Sequence, residues 1–193
     1  MRRGKTVIIN RLARQEALKE NALTVMINFK EWTGVHYDDW QQLHEGMAER
    51  MDFLLREFAV PHLTIAQLDA LSPERKKILF VDGLNEVTSD IGSDIIATLD
   101  VFIGYALQTA VIVSDRLVRR EFPNPQRWAL ATVMPLEDAE VERCLQGAAG
   151  NAPMFSEAKP EEKALLKTPY FLDSVLRGGT LVRGGTAVFH EYY

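Results

Sequence analysis

The 193-residue sequence holds one cysteine, Cys144. A single thiol excludes an internal disulfide framework and fits a reducing compartment, so a cytoplasmic protein is expected. The four histidines are scattered and, with one cysteine, form no zinc-ligand spacing. No apolar run approaches the ~20 residues that cross a bilayer as a helix, so no membrane span is expected. Met1-Arg2-Arg3-Gly4 lacks the apolar stretch of a secretory signal. Basic residues never gather into a long run, and the formal net charge is −5 at pH 7. Nucleic acid and anionic membranes are therefore not expected as main partners, although a local basic patch for phosphate stays open. Internal repeats and low-complexity tracts are absent too.

What the chain does have is apolar residues in short, bounded runs. They make up 47% of it, enough for a packed core in one or two domains. The most informative stretch is Lys77 to Val87, K-I-L-F-V-D-G-L-N-E-V. Four apolar residues run into Asp82 and Gly83, which reads as a strand buried on both faces of a parallel sheet. Such sheets bind ligands at the carboxyl ends of their strands. Asp82 stands at that end, where a carboxylate can hold Mg²⁺ directly or through water. A plain buried strand closing in an Asp-Gly turn fits the same residues.

The chain opens with Gly4-Lys5-Thr6, followed by a helical pattern from about Gly4 to Glu20. G-K-T at a helix start is the second half of a P-loop. Backbone N–H groups there cradle phosphates, Lys5 reaches the β/γ-phosphates, and the Thr6 hydroxyl can ligate Mg²⁺. The first glycine of that pattern would lie ahead of Met1. A strand is expected from Leu23 to Phe29 and a loop from Lys30 to Tyr37. Asp38 is expected to cap one helix that carries Trp40, Leu43, Met47, Met51, Leu54 and Phe58 on one face. Pro61 breaks it, and a short helix spans Leu63 to Leu71. After the central strand come a polar loop, Val87 to Gly92, and a helix from Asp94 to Leu107. Ala110 to Val113 is a further apolar strand, ending in Ser114-Asp115-Arg116. Trp128 to Met134 reads as the last strand, and Ala139 to Leu145 as a helix.

Strand and helix thus alternate from Gly4 to Leu145, which argues for α/β architecture with a parallel sheet covered on both faces. Gly147 to Pro153 is a small-residue linker. It divides a core of residues 1–147 from residues 148–193, where short helices are expected at about Pro160 to Leu166 and Tyr170 to Leu176. Three polar clusters fall at strand or helix ends: Gly4-Lys5-Thr6, Asp82 with Asn85 and Glu86, and Ser114 to Arg116. Together they describe a nucleoside triphosphate with Mg²⁺ between Lys5 and Asp82.

Here the sequence resembles a family. L-F-V-D-G-L-N-E-V looks like the extended Walker B of the NACHT domains, in the STAND class of P-loop ATPases. V-I-V-S-D-R looks like their sensor strand, and V-M-P-L-E-D-A-E-V-E-R-C-L like the segment that follows it. L-K-T-P-Y-F-L-D-S-V-L resembles the start of their small helical domain, whose adenine-touching proline maps to Pro169. The resemblance implies a P-loop NTPase sheet followed by a small helical subdomain, with ATP/ADP and Mg²⁺ as cofactors. It also implies a signalling switch, as in innate-immune receptors and bacterial defence proteins, that assembles into homo-oligomers once ATP is bound. In those roles Glu86 orients or deprotonates the attacking water and Arg116 senses the γ-phosphate.

Three departures from the family bear on this. The strand before the P-loop is not in the sequence, so the chain reads as a fragment starting inside the Walker A loop. The family usually has Asp where Asn85 stands, and an amide cannot act as a general base. The winged-helix, effector and sensor domains do not appear. Two functions follow as expectations: a slow ATPase switch, or a non-hydrolysing nucleotide-binding or self-association module. A GTPase is disfavoured because no Asn-Lys-x-Asp motif occurs.

Overall fold

The computed structural model describes residues 4–43, 46–71, 74–106, 108–115, 122–147 and 155–177. The chain divides into two compact units, one from Ile9 to Ala131 and one made of residues 1–8 and 132–193.

The first unit is built on four strands: β1 (Ala22–Asn28), β2 (Ala59–Val60), β3 (Lys76–Asp82) and β4 (Thr109–Val113). Their order in the sheet is β2-β1-β3-β4. β1, β3 and β4 run parallel, and β2 pairs antiparallel with β1. β3 is flanked on both edges and buried from Lys77 to Asp82, which is why its sequence is apolar without alternation. The registers set Asn28 beside Asp82, and Val81 beside Val113.

Helices cover both faces. On one, α3 (Met47–Phe58) and α5 (Ser89–Tyr105) pack Met51, Leu54, Leu55, Ile95, Leu99 and Phe102 against Val25, Ile27, Leu79 and Val81. On the other, Ile9 of α1 (Lys5–Ala17) meets Ile78 and Phe80. Each fully buried aliphatic or aromatic side chain contributes about 1.5–3 kcal/mol, so these layers fix where the strand ends lie. An aromatic cluster closes one side of the core. Trp32 stacks on Phe58 with ring centroids 4.9 Å apart, and Phe29 meets Phe58 edge-on at 5.4 Å.

The α/β class and the mostly parallel sheet match the sequence expectation, but four local expectations do not hold. The helix expected from Asp38 through Phe58 is two helices, α2 (Gly34–Gln42) and α3. Thr33, not Asp38, starts the first: its backbone N–H donates to His36 Nδ1 at 3.0 Å. Gly46 caps the second, so a continuous apolar face spans a break that periodicity does not register. α5 begins at Ser89 rather than Asp94, with Thr88 as its cap residue and Asp90 in the first turn, where the helix dipole favours a carboxylate. Lys30 does not open a plain loop, because Phe29–Glu31 forms a 3₁₀ turn.

The fourth correction is the largest. Trp128 to Met134 is not a strand. Leu130 and Met134 are 87% and 71% exposed. A β pattern becomes a strand only beside a neighbour with backbone groups to share, and among the described residues none lies along this segment.

The second unit has its own small core. Val141 and Leu145 of α6 (Asp138–Gln146) pack with Phe155, with Leu166 of α7 (Pro160–Leu166) and with Leu172 of α8 (Pro169–Leu176). The Leu136 N–H donates to the Lys167 carbonyl at 2.7 Å, and Lys167 Nζ meets Asp138 at 2.7 Å. Proline at the first position of α7 and of α8 suits the helix start, where no N–H is needed. Beyond Gly147, the linker expected through Pro153 falls outside the described residues.

Candidate functional site

The carboxyl ends of the parallel strands bring three polar side chains together within the first unit. Asp82, the last residue of β3, is only 4% exposed. The Ser114 hydroxyl, just past β4, donates to Asp82 Oδ1. Ser114 is held there by its own backbone, whose N–H donates to the Val81 carbonyl at 2.8 Å. From the other side, Lys30 Nζ lies 4.0 Å from Asp82 Oδ2. One buried carboxylate thus receives a hydroxyl on one oxygen and faces an ammonium on the other. Both partners keep its charge tolerable at a depth where an isolated carboxylate is strongly disfavoured.

Immediately after Asp82 the chain turns. Gly83 adopts φ +84°, a left-handed conformation that costs other residues about 1 kcal/mol or more. The turn brings its Cα against the backbone of Phe29 and Lys30, where an added Cβ would lie 3.4 Å from both nitrogens. Leu84–Glu86 then forms a 3₁₀ turn. Leu84 is buried and anchors it, while Glu86 is exposed. Asn85 Nδ2 donates to Glu86 Oε1 at 2.7 Å. Glu86, the residue expected to activate water, is therefore engaged directly by its neighbour Asn85.

The segment after β4 is tethered to α5. Asp100, 1% exposed, accepts a hydrogen bond from Trp128 Nε1 at 3.0 Å and another from Asn124 Nδ2. Arg127 Nη1 donates to the Asp100 carbonyl at 3.3 Å. This buried acceptor ties Asn124 and Trp128 to α5. Arg116 itself lies outside the described residues.

Gly4, Lys5, Thr6 and Pro169 belong to the second unit. Gly4 has φ +71°, and its carbonyl accepts the first helical hydrogen bond of α1, from Ile8 N–H at 3.0 Å. Lys5 and Thr6 occupy the first turn, the end of a helix whose backbone N–H groups and dipole favour anions. A Cβ on Gly4 would lie 2.7 Å from the Tyr170 nitrogen and 3.1 Å from Pro169 Cβ. Only glycine fits such an approach, so the start of α1 and the start of α8 meet at backbone distance.

Two pairs of sequence-selected residues are thus adjacent: Gly4 with Pro169, and Asn85 with Glu86. Asp82 is paired with Ser114, from the third cluster. Lys30 sits in a stretch without a motif, so the sequence alone does not mark it. Its signal was positional, two residues past the end of β1 as Asp82 ends β3. Among the described residues no three or more His, Cys, Asp or Glu side chains gather as a metal cage. Asp82 brings one carboxylate and, through Ser114, one hydroxyl to the strand ends. Compared with family models, curated proteins and solved structures, the chain matches none.

Proposed function

We propose that the chain is the nucleotide-binding part of a NACHT-like switch of the STAND class, built on a P-loop NTPase sheet and binding ATP or ADP with Mg²⁺. The observation that carries this reading is the buried Asp82 carboxylate at the carboxyl end of β3, joined to Ser114 from the neighbouring strand. In this reading Lys5 holds the β/γ-phosphates, Thr6 and Asp82 serve Mg²⁺, and Pro169 flanks the adenine. Lys30 adds positive potential at the strand ends. The bound metal supplies charge neutralisation of the phosphates. Glu86 orients or deprotonates water, and Arg116 meets the γ-phosphate. Catalysis of this kind is positioning plus electrostatics, and it is slow when the base is weak. The switch controls homo-oligomer assembly in signalling or defence.

Calorimetric titration with ATP and Mg²⁺ tests the binding step. Saturable heat is expected for the wild type, with affinity lowered roughly tenfold or more in Lys5→Ala, equal to about 1.4 kcal/mol. Asp82→Asn is expected to remove the Mg²⁺ dependence. Absence of binding, or equal affinity in all three proteins, overturns the proposal.

A second reading rests on a specific contact. The hydrogen bond from Asn85 to Glu86 occupies the carboxylate assigned to water activation, which favours a module that binds nucleotide without hydrolysing it. Phosphate release separates the two. Turnover abolished by Glu86→Gln supports the ATPase, and tight binding without turnover supports the non-hydrolysing module.

A further inference from the structure

Asp82 is approached differently on its two oxygens. Oδ1 accepts the Ser114 hydroxyl, a neutral donor. Oδ2 faces the Lys30 ammonium at 4.0 Å, longer than the roughly 2.7–2.9 Å of a charged N–H···O hydrogen bond. That contact is one of charge rather than of directed bonding. Its two ends also differ in depth: the Asp82 side chain is 6% exposed and that of Lys30 51%.

What positions Lys30 is its main chain. Its N–H donates to Asn28 Oδ1 at 3.1 Å, where the 3₁₀ turn Phe29–Glu31 begins. Asn28 lies beside Asp82 in the register of β1 and β3. Phe29 of the same turn is buried, and Gly83 packs on the backbone of Phe29 and Lys30. The Lys30 Cα is thus fixed to two strand ends, while its flexible four-carbon stem lets the half-exposed ammonium take another position. An oxygen held to an ammonium by charge alone yields to a stronger cation. Mg²⁺ binds carboxylate oxygens at about 2.0–2.1 Å and carries twice the charge. Beside one buried oxygen the two cations repel strongly, because little water screens them, and they exclude one another. The positive charge already beside Oδ2 is the observation that fits a cation at this oxygen.

We propose that Lys30 competes with a divalent cation for Asp82 Oδ2 and so ties metal binding to the arrival of nucleotide. The inference rests on the reading of Asp82 as the Mg²⁺ residue of a nucleotide site. A cation arriving alone displaces Lys30 without compensation. One arriving with a nucleotide brings phosphate oxygens, which give the displaced ammonium a new partner. Lys30 thereby raises the cation concentration that the protein needs by itself, and it favours the metal–nucleotide pair over the bare ion.

Thermal unfolding over a series of Mg²⁺ concentrations at constant ionic strength tests it, since a ligand of the folded protein raises the midpoint according to its affinity. In Lys30→Met the Mg²⁺ concentration at which stabilisation sets in is expected to fall roughly tenfold or more. Lys30→Gln should act in the same direction, and Lys30→Arg, which keeps the charge, should retain the wild-type dependence. With chelator present, Lys30→Met is expected to melt below the wild type. A merely structural lysine would do that too, but without altering the Mg²⁺ dependence. Calorimetric titration with ATP, with Mg²⁺ or with chelator, should show a smaller Mg²⁺-dependent gain in affinity for Lys30→Met than for the wild type. An equal or larger gain overturns the link to nucleotide. Where Mg²⁺ stabilises the wild type and Asp82→Asn abolishes this, but neither neutral variant lowers the concentration needed, the competition is overturned and the metal role of Asp82 stands. Where Mg²⁺ stabilises none of the proteins, with or without ATP, the metal role itself falls and the competition with it.

Discussion

The Ser114 hydroxyl donates to the Asp82 carboxylate, tying the end of β4 to the end of β3 at the least exposed charged group of the strand ends. The bond crosses two strands whose main chains are already locked in register, so it adds little conformational restriction of its own. Its role is to offset the desolvation of Asp82. Ser114→Ala is expected to lower stability by about 1.5–3 kcal/mol, the range for a hydrogen bond to a charged group. Urea unfolding at neutral pH measures it, and an unchanged midpoint would mean that water replaces the hydroxyl.

Gly83 sets the direction in which the chain leaves the strand. With φ +84°, alanine there is expected to destabilise by about 1–2 kcal/mol, and asparagine by less, because its short polar side chain tolerates the left-handed region. The order Gly, Asn, Ala in thermal midpoint is the outcome to look for. A reversed order would show that the contact with Phe29 and Lys30, rather than backbone strain, decides the position.

Asp100 is a buried structural carboxylate. It is 1% exposed and collects donors from Asn124 and Trp128, with Arg127 on its carbonyl. Asp100→Ala leaves those donors without an acceptor and is expected to lower stability by roughly 3 kcal/mol or more. Asp100→Asn keeps one acceptor oxygen and is expected to lower it less. Trp128 reports the change directly: its emission should shift to the red in Asp100→Ala, with Trp128→Phe as the reference that isolates its signal from Trp32 and Trp40.

A pH effect is expected in the second unit. The hydrogen bond and charge of Asp138 raise the Lys167 pKa above the ordinary lysine value. A lysine whose folded pKa is raised contributes stability that is complete below its unfolded pKa and is lost as pH rises through the folded one. The contribution should therefore be flat from neutral pH to about pH 10 and fade above it. Carbon-13 titration of the Lys167 side chain should show the raised value, and Asp138→Asn should bring it back toward that of a free lysine.

How far the sequence reached depended on whether a feature was local. The run Ile78 to Val81 identified β3 because a strand buried on both faces needs apolar residues at every position. Ala110 to Val113 was legible for the same reason, as was the pair of short helices around Thr168-Pro169. The break between α2 and α3 was not, because one apolar face continues across both helices and the Thr33–His36 contact that starts the first has no periodic signal. Trp128 to Met134 misled because its composition suits a strand while its partner does not exist among the described residues. Nothing nearby in sequence marks Asp100 or Lys30.

By itself, then, the sequence determined that β3 and β4 become buried strands and that strands and helices alternate, because apolar spacing and the period of each element are properties of neighbours along the chain. Only the tertiary structure decided that Asp82 shares its carboxylate between Ser114 and Lys30, that Asp100 anchors Trp128, and that β4 comes last in the order of the described strands. Those relationships join residues far apart in the chain. They arise from the order in which strands pair, and hydrophobic pattern constrains burial but not which strand lies beside which.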